Sequence, residues 1–275
     1  MTAPALERRY ARLLRLYPAD YRRARGAEVL ETLMESADGT SPREVVALVL
    51  GALRVRAGRV HRQSLRQSWP AAARAGVLML LVSAVANAVV RLTMLNALQV
   101  IALGPAVIAL FAAWRAYHRL AAASAAVAFG LTMTGPGFGI FWHLPLAVVL
   151  LLTMRRHKHV PVFGLLRYAP LAPLLLVATD HGLGRFLPDI SGWLNFGMLV
   201  ALTTAGLLWA VVDERVTMAL GLMLLSGLLI QLGFVVGLRG VQSLGPAALS
   251  LAVAALPPAA LLLASLTVAR REARI

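Results

Sequence analysis

The distribution of apolar and charged positions changes abruptly at Trp69-Pro70. Before this dipeptide, charged residues recur every two or three positions. After it, windows of about twenty residues pass with one charge or none, which is the length that a helix needs to cross a hydrocarbon core of roughly 30 Å. The pattern predicts an all-α protein in which a small cytosolic head precedes a polytopic bundle of transmembrane helices.

The head, residues 1–53, is predicted to contain three helices. In the first, apolar residues recur at spacings of three and four, and the helix should end at Tyr17-Pro18 because the residue before a proline is disfavoured in the α region. The second should run from about Ala19 to the stop signal Asp38-Gly39. The positions expected to be buried in these two helices are Leu6, Tyr10, Leu13, Leu14, Tyr17, Tyr21, Ala24, Leu30, Leu33, Met34 and Ala37. Gly26 is interpreted as a point of close helix contact.

The third helix has a specific start signal at Ser41-Pro42-Arg43-Glu44. Ser41 is placed to cap the helix, Pro42 suits its first position, and Glu44 completes a capping box. After residue 53 the chain turns basic, and we interpret residues 54–69 as an amphipathic connector on the membrane surface. The arginines from Arg54 to Arg66 are expected to contact anionic lipid headgroups rather than nucleic acid, because juxtamembrane cations follow the positive-inside bias and no DNA-binding motif accompanies them.

Eight spans are predicted within residues 70–268, followed by a basic tail at 269–275. The spans lie near 70–90, 93–113, 120–133, 140–154, 161–179, 193–212, 215–237 and 246–268. Alternate loops hold most of the remaining cations, at Arg115 and Arg119, Arg155 to Lys158, Arg215, and Arg270 to Arg274. The positive-inside rule therefore predicts that both termini face the cytoplasm of a multi-pass plasma-membrane protein.

Proline and glycine leave parts of the bundle open to alternatives. Residues 120–154 are predicted to form either two full spans or a re-entrant hairpin around Gly135-Pro136-Gly137, and the topology of the rest is the same in both cases. Pro145, Pro170 and Pro173 are expected to kink their helices. The glycines from Gly221 to Gly227 are expected to form small faces for helix packing.

Composition supports the membrane assignment. The hydrophobic fraction is 59%, the mean hydropathy is +0.75 and the net charge is +15, whereas soluble domains contain about 45–50% apolar residues. The chain has no cysteine, which excludes disulfides, thiol catalysis and cysteine-ligated metal. The first apolar run follows a charged helix, so we expect it to remain as a span rather than to be removed as a signal peptide.

Polar groups within predicted spans are the default candidates for function. The intramembrane candidates are Asn96, Gln99, Arg167, Asn195 and Gln231, with Asn87, Thr203 and Thr204 as further polar positions. Arg167 is read as the charge well inside an apolar stretch, and snorkelling toward the headgroups is favoured over a buried contact because no deep acid is present to pair with it. His143 beside Trp142 is expected to anchor the outer interface.

Motifs for enzymatic chemistry were sought in the same way. The sequence contains no zinc-binding His-Glu-x-x-His, no Gly-x-Ser-x-Gly elbow and no phosphate-binding glycine-rich loop. The pair Asp180-His181 is interpreted as solvated loop surface. We therefore predict neither enzymatic activity nor a cofactor or metal.

The head also carries a family resemblance. Residues Leu6-Glu7-Arg8-Arg9-Tyr10 and the stretch Leu13-Leu14-Arg15-Leu16-Tyr17-Pro18-Ala19-Asp20-Tyr21-Arg22-Arg23-Ala24-Arg25-Gly26-Ala27-Glu28 through Leu33 resemble the short helical prefix of many actinobacterial membrane proteins. This prefix is similar to HAAS-type signalling domains and to the permease prefix domain of some ABC-transporter permeases. The resemblance implies communication with a PadR-like transcription regulator. The large extracytoplasmic domain of such permeases has no room in this chain.

Two functions remain after these observations. The first is a membrane signalling or anchoring protein whose head binds a cytosolic regulator while the bundle senses envelope state or a lipophilic compound. The second is a small permease or export component. The scarcity of polar groups in the spans favours the first. Its candidate docking residues are Tyr17, Pro18, Tyr21, Glu28, Glu31 and Glu35.

Overall fold

The computed structural model describes residues 3–35, 41–57, 65–92, 97–133, 141, 143–154, 164–178, 191–237 and 244–274. Every regular element in these ranges is a helix, so the all-α prediction is confirmed. The helices are α1 (Ala3–Leu14), α2 (Ala19–Glu35), α3 (Pro42–Arg56), α4 (Leu65–Val90), α5 (Ala97–Trp114), α6 (His118–Thr132), α7 (His143–Met154), a 3-10 helix (Gly164–Leu171), α8 (Ala172–Ala178), α9 (Ser191–Trp209), α10 (Glu214–Gly237) and α11 (Leu244–Arg274).

The first three helices pack around two small apolar clusters. Tyr10 is fully buried at the centre of one, and Tyr17 with Ala52 forms the other. The buried residues of α1 and α3 are therefore those that the apolar spacing predicted. On α2, however, Ala24 is exposed rather than buried, and a Cβ on Gly26 would meet nothing closer than Arg22 Cβ at 3.8 Å. The expected close helix contact at Gly26 is therefore absent. Ala37 lies outside the described residues.

The start of α3 is built as predicted. The Ser41 hydroxyl accepts a hydrogen bond from the Glu44 backbone N–H, and the Glu44 carboxylate accepts one from the Ser41 N–H, each at 3.2 Å. The same carboxylate oxygen accepts the Tyr10 hydroxyl hydrogen at 3.0 Å. The capping box therefore also connects α3 to α1. Both tyrosines of the clusters are protected from ionisation: burial raises the pKa of Tyr10, the Glu44 hydrogen bond raises it further, and burial raises the pKa of Tyr17.

Four helices of the described chain are long and apolar enough to cross a membrane. They comprise Trp69–Val90 of α4, Ala97–Trp114, Glu214–Leu232 of α10 and Ala248–Arg271 of α11, and they match four predicted spans. The other four predicted spans coincide with α6, α7, the 3-10 helix with α8, and α9, in which the described apolar stretches are shorter than 18 residues. The described residues thus contain four membrane-length helices, which is compatible with a membrane protein, and the count of eight spans stays a prediction.

Prolines set helix boundaries where we expected kinks. Helix α7 begins at His143, so Pro145 lies in its first turn, where a missing N–H breaks no intrahelical bond. The predicted span at 161–179 is divided into the 3-10 helix, which contains Pro170, and α8, whose first turn contains Pro173. A kinked continuous helix is therefore the wrong description of this segment.

Helix α4 is the central element of the bundle. It contacts α5, α7, α8, the 3-10 helix, α10 and α11, and a row of alanines on it is fully buried. Close approach needs small residues at the crossings: a Cβ on Gly76 would lie 3.3 Å from Leu222 Cβ, and one on Gly221 would lie 3.0 Å from Leu262 Cγ. The packing prediction thus holds at Gly221, whereas Gly227 faces open space.

The turn between α5 and α6 contains backbone strain. Ala116 has a φ of 63°, in the left-handed region that favours glycine. Its N–H donates to the Ala113 carbonyl, and the Tyr117 N–H donates to the Ala112 carbonyl at 2.8 Å. This hydrogen-bond pattern is a Schellman motif with alanine at the position that glycine usually occupies.

Replacing Ala116 with glycine should stabilise the protein by about 0.5–1 kcal/mol, because the left-handed conformation costs an alanine more than glycine loses in chain entropy. Ala126→Gly, at an exposed position inside α6, is the matched control and should destabilise by up to about 1 kcal/mol. Thermal unfolding in detergent measures both. A lower unfolding temperature for Ala116→Gly would contradict the strain assigned to this turn.

The N-terminal helices should lose stability at alkaline pH. Because the pKa of Tyr10 is raised in the folded state, the neutral phenol contributes to the free energy of unfolding. This contribution is complete below the ordinary pKa near 10, and it is lost as the pH rises through the pKa of the folded state. Circular dichroism melts of the full chain between pH 8 and 11 should show this loss, and Tyr10→Phe should reduce it. Tyr117→Phe, at an exposed tyrosine, is the control. If the unfolding temperature of Tyr10→Phe falls with pH as steeply as that of the wild type, Tyr10 is not the source of the loss.

Candidate functional site

A buried ion pair lies at the start of α10. The Asp213 carboxylate receives two hydrogen bonds from the Arg215 guanidinium, at 2.9 Å from Nε and 3.0 Å from the terminal nitrogen. It also accepts the Arg215 backbone N–H at 3.1 Å, so the carboxylate satisfies one of the free N–H groups at this helix start. Asp213 is 0% and Arg215 4% exposed. The pair is bidentate and shielded from solvent, the geometry in which such contacts are strongest.

The same arginine connects the bundle to the N-terminal helices. A terminal guanidinium nitrogen of Arg215 donates to the Ala57 carbonyl at 3.0 Å, and Ala57 is the residue that caps the end of α3. In the opposite direction, Nε of Arg54 donates to the Val211 carbonyl at 3.0 Å. Both acceptor carbonyls lie just beyond the C-terminal ends of α3 and α9, where free carbonyls favour positive charge. We call these five residues the junction.

Sequence reasoning missed the junction. We expected Arg215 to be an exposed topological cation and Arg54 to face lipid headgroups, but Arg215 is buried and Arg54 contacts the turn between α9 and α10. The predicted connector is likewise divided: α3 ends at Arg56, α4 begins at Leu65, and residues 58–64 lie outside the description. The available signal was the adjacent acids Asp213-Glu214 in a loop that should have been basic.

A second polar group lies inside the bundle and joins three helices. His143 Nδ1 is 2.7 Å from the Ser226 hydroxyl of α10, and His143 Nε2 is 3.2 Å from the Ser83 hydroxyl of α4. Ser226 donates its hydrogen to the Met223 carbonyl at 2.6 Å. The Asn87 amide donates to the Ser83 carbonyl at 2.9 Å and lies 3.4 Å from the Ser83 hydroxyl. We call these four side chains the histidine cluster.

The network assigns the tautomer of His143. Because Ser226 uses its only hydrogen on Met223, it must accept from Nδ1–H, which leaves Nε2 to accept the Ser83 hydroxyl. The result is a directional chain from Asn87 through Ser83 and His143 to Ser226. It lies about 18 Å along α10 from Glu214. Both ring nitrogens of His143 contact side chains of other helices, which the sequence did not predict. Among the described residues no three His, Cys, Asp or Glu side chains form a metal-binding group.

A charge that we overlooked fastens the first hairpin of the bundle. Arg74 lies five residues into the membrane-length segment of α4, so Arg167 is not alone among charges inside apolar stretches. The Arg74 guanidinium donates a hydrogen bond to the carbonyl of Trp114 at 2.6 Å. Trp114 is the last residue of α5, where the helix dipole favours a cation. The contact is structural and fixes α5 against α4.

The intramembrane candidates do not form one site. Gln99 is buried in α5, which packs against α4 and α6. Gln231 is exposed on α10 and lines a groove with Thr203 and Thr204. Asn96, together with the side chains of Arg167 and Asn195, lies outside the described residues, as does Asp180-His181. Among the described residues, Gln231 lies near Thr203 and Thr204, and Asn87 joins His143 through Ser83, but these two groups are separate.

The docking candidates on the head separate into buried and exposed residues. Tyr17 is 7% exposed and stacks on Tyr21 at 5.1 Å between ring centroids, and a Cβ on Gly51 would lie 2.5 Å from its hydroxyl. Tyr17 is thus a core residue and not part of a docking surface. Pro18 and Tyr21 are half-buried. The exposed candidates are the carboxylates Glu28, Glu31 and Glu35, which occupy one face of α2 at spacings of three and four.

Comparison with known proteins adds no family to this picture. No protein-family model matches the chain, and neither a curated protein nor a solved structure is significantly similar to it. The resemblance of the head to helical prefix domains therefore stays a prediction. Functional assignment rests on the junction, the histidine cluster and the exposed face of α2.

Removing one partner of the junction should destabilise the protein strongly. Arg215→Met leaves the Asp213 carboxylate buried without a counter-ion, and such breaks cost about 3–5 kcal/mol. In the double variant Asp213→Asn, Arg215→Met the amide still caps α10 and position 213 carries no unpaired charge, so most of the loss should be recovered. Thermal unfolding in detergent measures both proteins. If the double variant is the less stable of the two, the pair does not act as described.

The histidine cluster makes a smaller and separable contribution. His143→Leu leaves the Ser83 and Ser226 hydroxyls without their ring partner, and we expect a loss of about 1–2 kcal/mol in thermal unfolding. Adding Ser83→Ala and Ser226→Ala should recover part of it, because no hydroxyl is then stranded. The contact would be unimportant if His143→Leu unfolded at the wild-type temperature.

Proposed function

We propose that this protein is a membrane signalling or anchoring protein whose N-terminal helices form a cytosolic head that binds a transcription regulator. The observation that carries the proposal is the junction. Through Arg215, one buried ion pair in the bundle also holds the carbonyl end of α3. A movement of α10 relative to α9 therefore changes the contact that the head makes with the bundle.

The proposal includes the predicted topology of eight spans with both termini in the cytoplasm of a plasma-membrane protein. Support comes from the α5–α6 turn, where exposed Trp114 and Tyr117 flank Arg115. Amphipathic aromatic rings concentrate at both interfaces of membrane proteins, and cations concentrate at the cytoplasmic one. Trp193, 77% exposed near the start of α9, is placed to mark the opposite interface.

The docking surface that we propose is the acidic face of α2. Glu28, Glu31 and Glu35 are exposed on a helix in which no described side chain is fully buried. The rest of the chain is strongly basic, with a net charge of +15. An acidic face on such a protein suits a partner with a basic surface, because complementary potentials speed encounter and set the register of binding. The resemblance to prefix domains identifies a PadR-like regulator as the partner class.

The described polar groups favour signalling over transport. A permease needs a polar path near the middle of the membrane. In the histidine cluster each hydroxyl and ring nitrogen already has a hydrogen-bond partner, and Gln99 is buried. These groups tie helices together, which suits an element that transmits a change of packing.

Charge reversal on α2 tests the proposal. In the full-length protein in nanodiscs, Glu31→Lys should weaken binding of a purified PadR-like regulator by about tenfold or more, because a like charge then faces the basic partner. Glu7→Lys, at an exposed acid on α1, is the matched control and should change binding little. Equal effects of the two reversals, or no binding to the wild type, would count against a docking head.

A further inference from the structure

We propose that the groove between α9, α10 and α11 binds an uncharged single-chain amphiphile, a lipophilic molecule with a hydroxyl, ester or amide group near one end. The groove has a volume of about 680 Å³, within the range of small-molecule sites. The inference rests on the proposed signalling function in one respect: the ligand of the groove would be the lipophilic compound that the protein senses. The binding site itself is argued from the groove.

Unpaired polar groups provide the first argument. The side chains of Gln231 and Thr204 are exposed toward the groove and make no hydrogen bond to any described residue. Gln231 lies about 25 Å along α10 from Glu214, on a groove surface that is apolar apart from this amide, Thr203, Thr204 and Ser250. A primary amide without a partner is costly in hydrocarbon. A ligand that offers a donor and an acceptor at this depth removes that cost.

The shape and lining of the groove provide the second argument. Its lining on α11 extends from Leu249 to Ala260, about 16 Å along the helix, which suits one extended chain rather than a compact molecule. No lining residue is charged. The remaining lining is apolar apart from Thr203 and Ser250 and includes Phe196, Val253 and Leu256. A ligand with an ionised headgroup would find no counter-charge here, so the occupant is neutral.

The position of the groove gives it a route to the junction. Gly206 on α9 makes close contact with Leu220 and Leu261, where a Cβ would lie 2.8 Å from either side chain. The Gly206 carbonyl also accepts the Thr217 hydroxyl at 2.9 Å. This contact closes the groove on its cytosolic side and lies two residues beyond Arg215 on α10. An occupant that separates α9 from α11 therefore acts directly on the helix start that carries the ion pair.

A photoreactive monoacylglycerol bearing a diazirine in its acyl chain is the probe. Added to the full-length protein in nanodiscs, it should label α9, α10 and α11 saturably, and unlabelled monoolein should compete while oleate and lysophosphatidic acid should not. Val253→Trp fills the groove and should reduce labelling by about threefold to tenfold, and Gln231→Leu should do the same by removing the amide. Val107→Trp is the matched control, since Val107 on α5 is 46% exposed against 48% for Val253.

Three outcomes overturn the inference. Labelling that does not saturate, or that is equal in Val253→Trp and Val107→Trp, means that the probe reports bulk lipid. Competition by oleate or lysophosphatidic acid as strong as by monoolein contradicts a neutral site. Because the chain has no cysteine, Val253→Cys introduces a unique thiol, and disulfide dimers formed there but not by Val107→Cys would show that a second copy covers the groove.

The test separates this inference from the function proposed above. If labelling is saturable but monoolein does not change regulator binding, the groove is a ligand site without a signalling role. Regulator binding that responds to Glu31→Lys in a protein without saturable labelling would keep the docking head and remove the groove as a ligand site.

Discussion

The bidentate ion pair between Asp213 and Arg215 is the interaction on which the arrangement of this protein depends. Removing two charges from solvent carries a large desolvation penalty, which is offset only when every remaining donor and acceptor is satisfied. Here the Asp213 carboxylate also accepts the Arg215 backbone N–H, and the Arg215 guanidinium also donates to the Ala57 carbonyl. Because Ala57 lies at the end of α3, this last hydrogen bond forms only when the N-terminal helices contact the bundle. The contact between the N-terminal helices and the bundle is therefore coupled to the stability of the ion pair at the start of α10.

Helix α4 supplies the rigid frame for this coupling. Its buried alanines and Gly76 allow backbones to approach closely, and dispersion contacts of this kind drive helix association where water provides no hydrophobic force. Polar contacts then fix the register of individual neighbours: Arg74 holds the end of α5, and Ser83 holds His143. Small residues allow the helix backbones to approach closely, and the few polar contacts fix the rotation of each helix about its own axis.

Local patterns in the sequence predicted most helices, but not the division of the segment at 161–179 or of the connector, and they did not predict the sites. The capping box at Ser41 and Glu44 and the spacing of Leu6 and Tyr10 follow from interactions within a few residues. The junction joins residues 158 positions apart, and the histidine cluster joins α4, α7 and α10. Contacts between distant segments leave no local pattern, so Arg215 looked like a topological cation and His143 like an anchor. Tyr17 was expected to be buried from its helical spacing and also to contribute to docking; its burial is confirmed, and its ring packs beside Gly51 of α3, so it is not available for docking.

Helix α10 carries four of the polar features of the bundle along its length. Its first residues hold the junction, Thr217 bonds α9, Ser226 joins the histidine cluster, and Gln231 faces the groove. These contacts are made to different neighbours, so they cannot all be kept if α10 rotates or shifts as a rigid body. Interfaces of packed helices change between discrete arrangements rather than continuously. If the proposed ligand favours one arrangement at Gln231, it must change the population of the arrangement in which Arg215 contacts the end of α3.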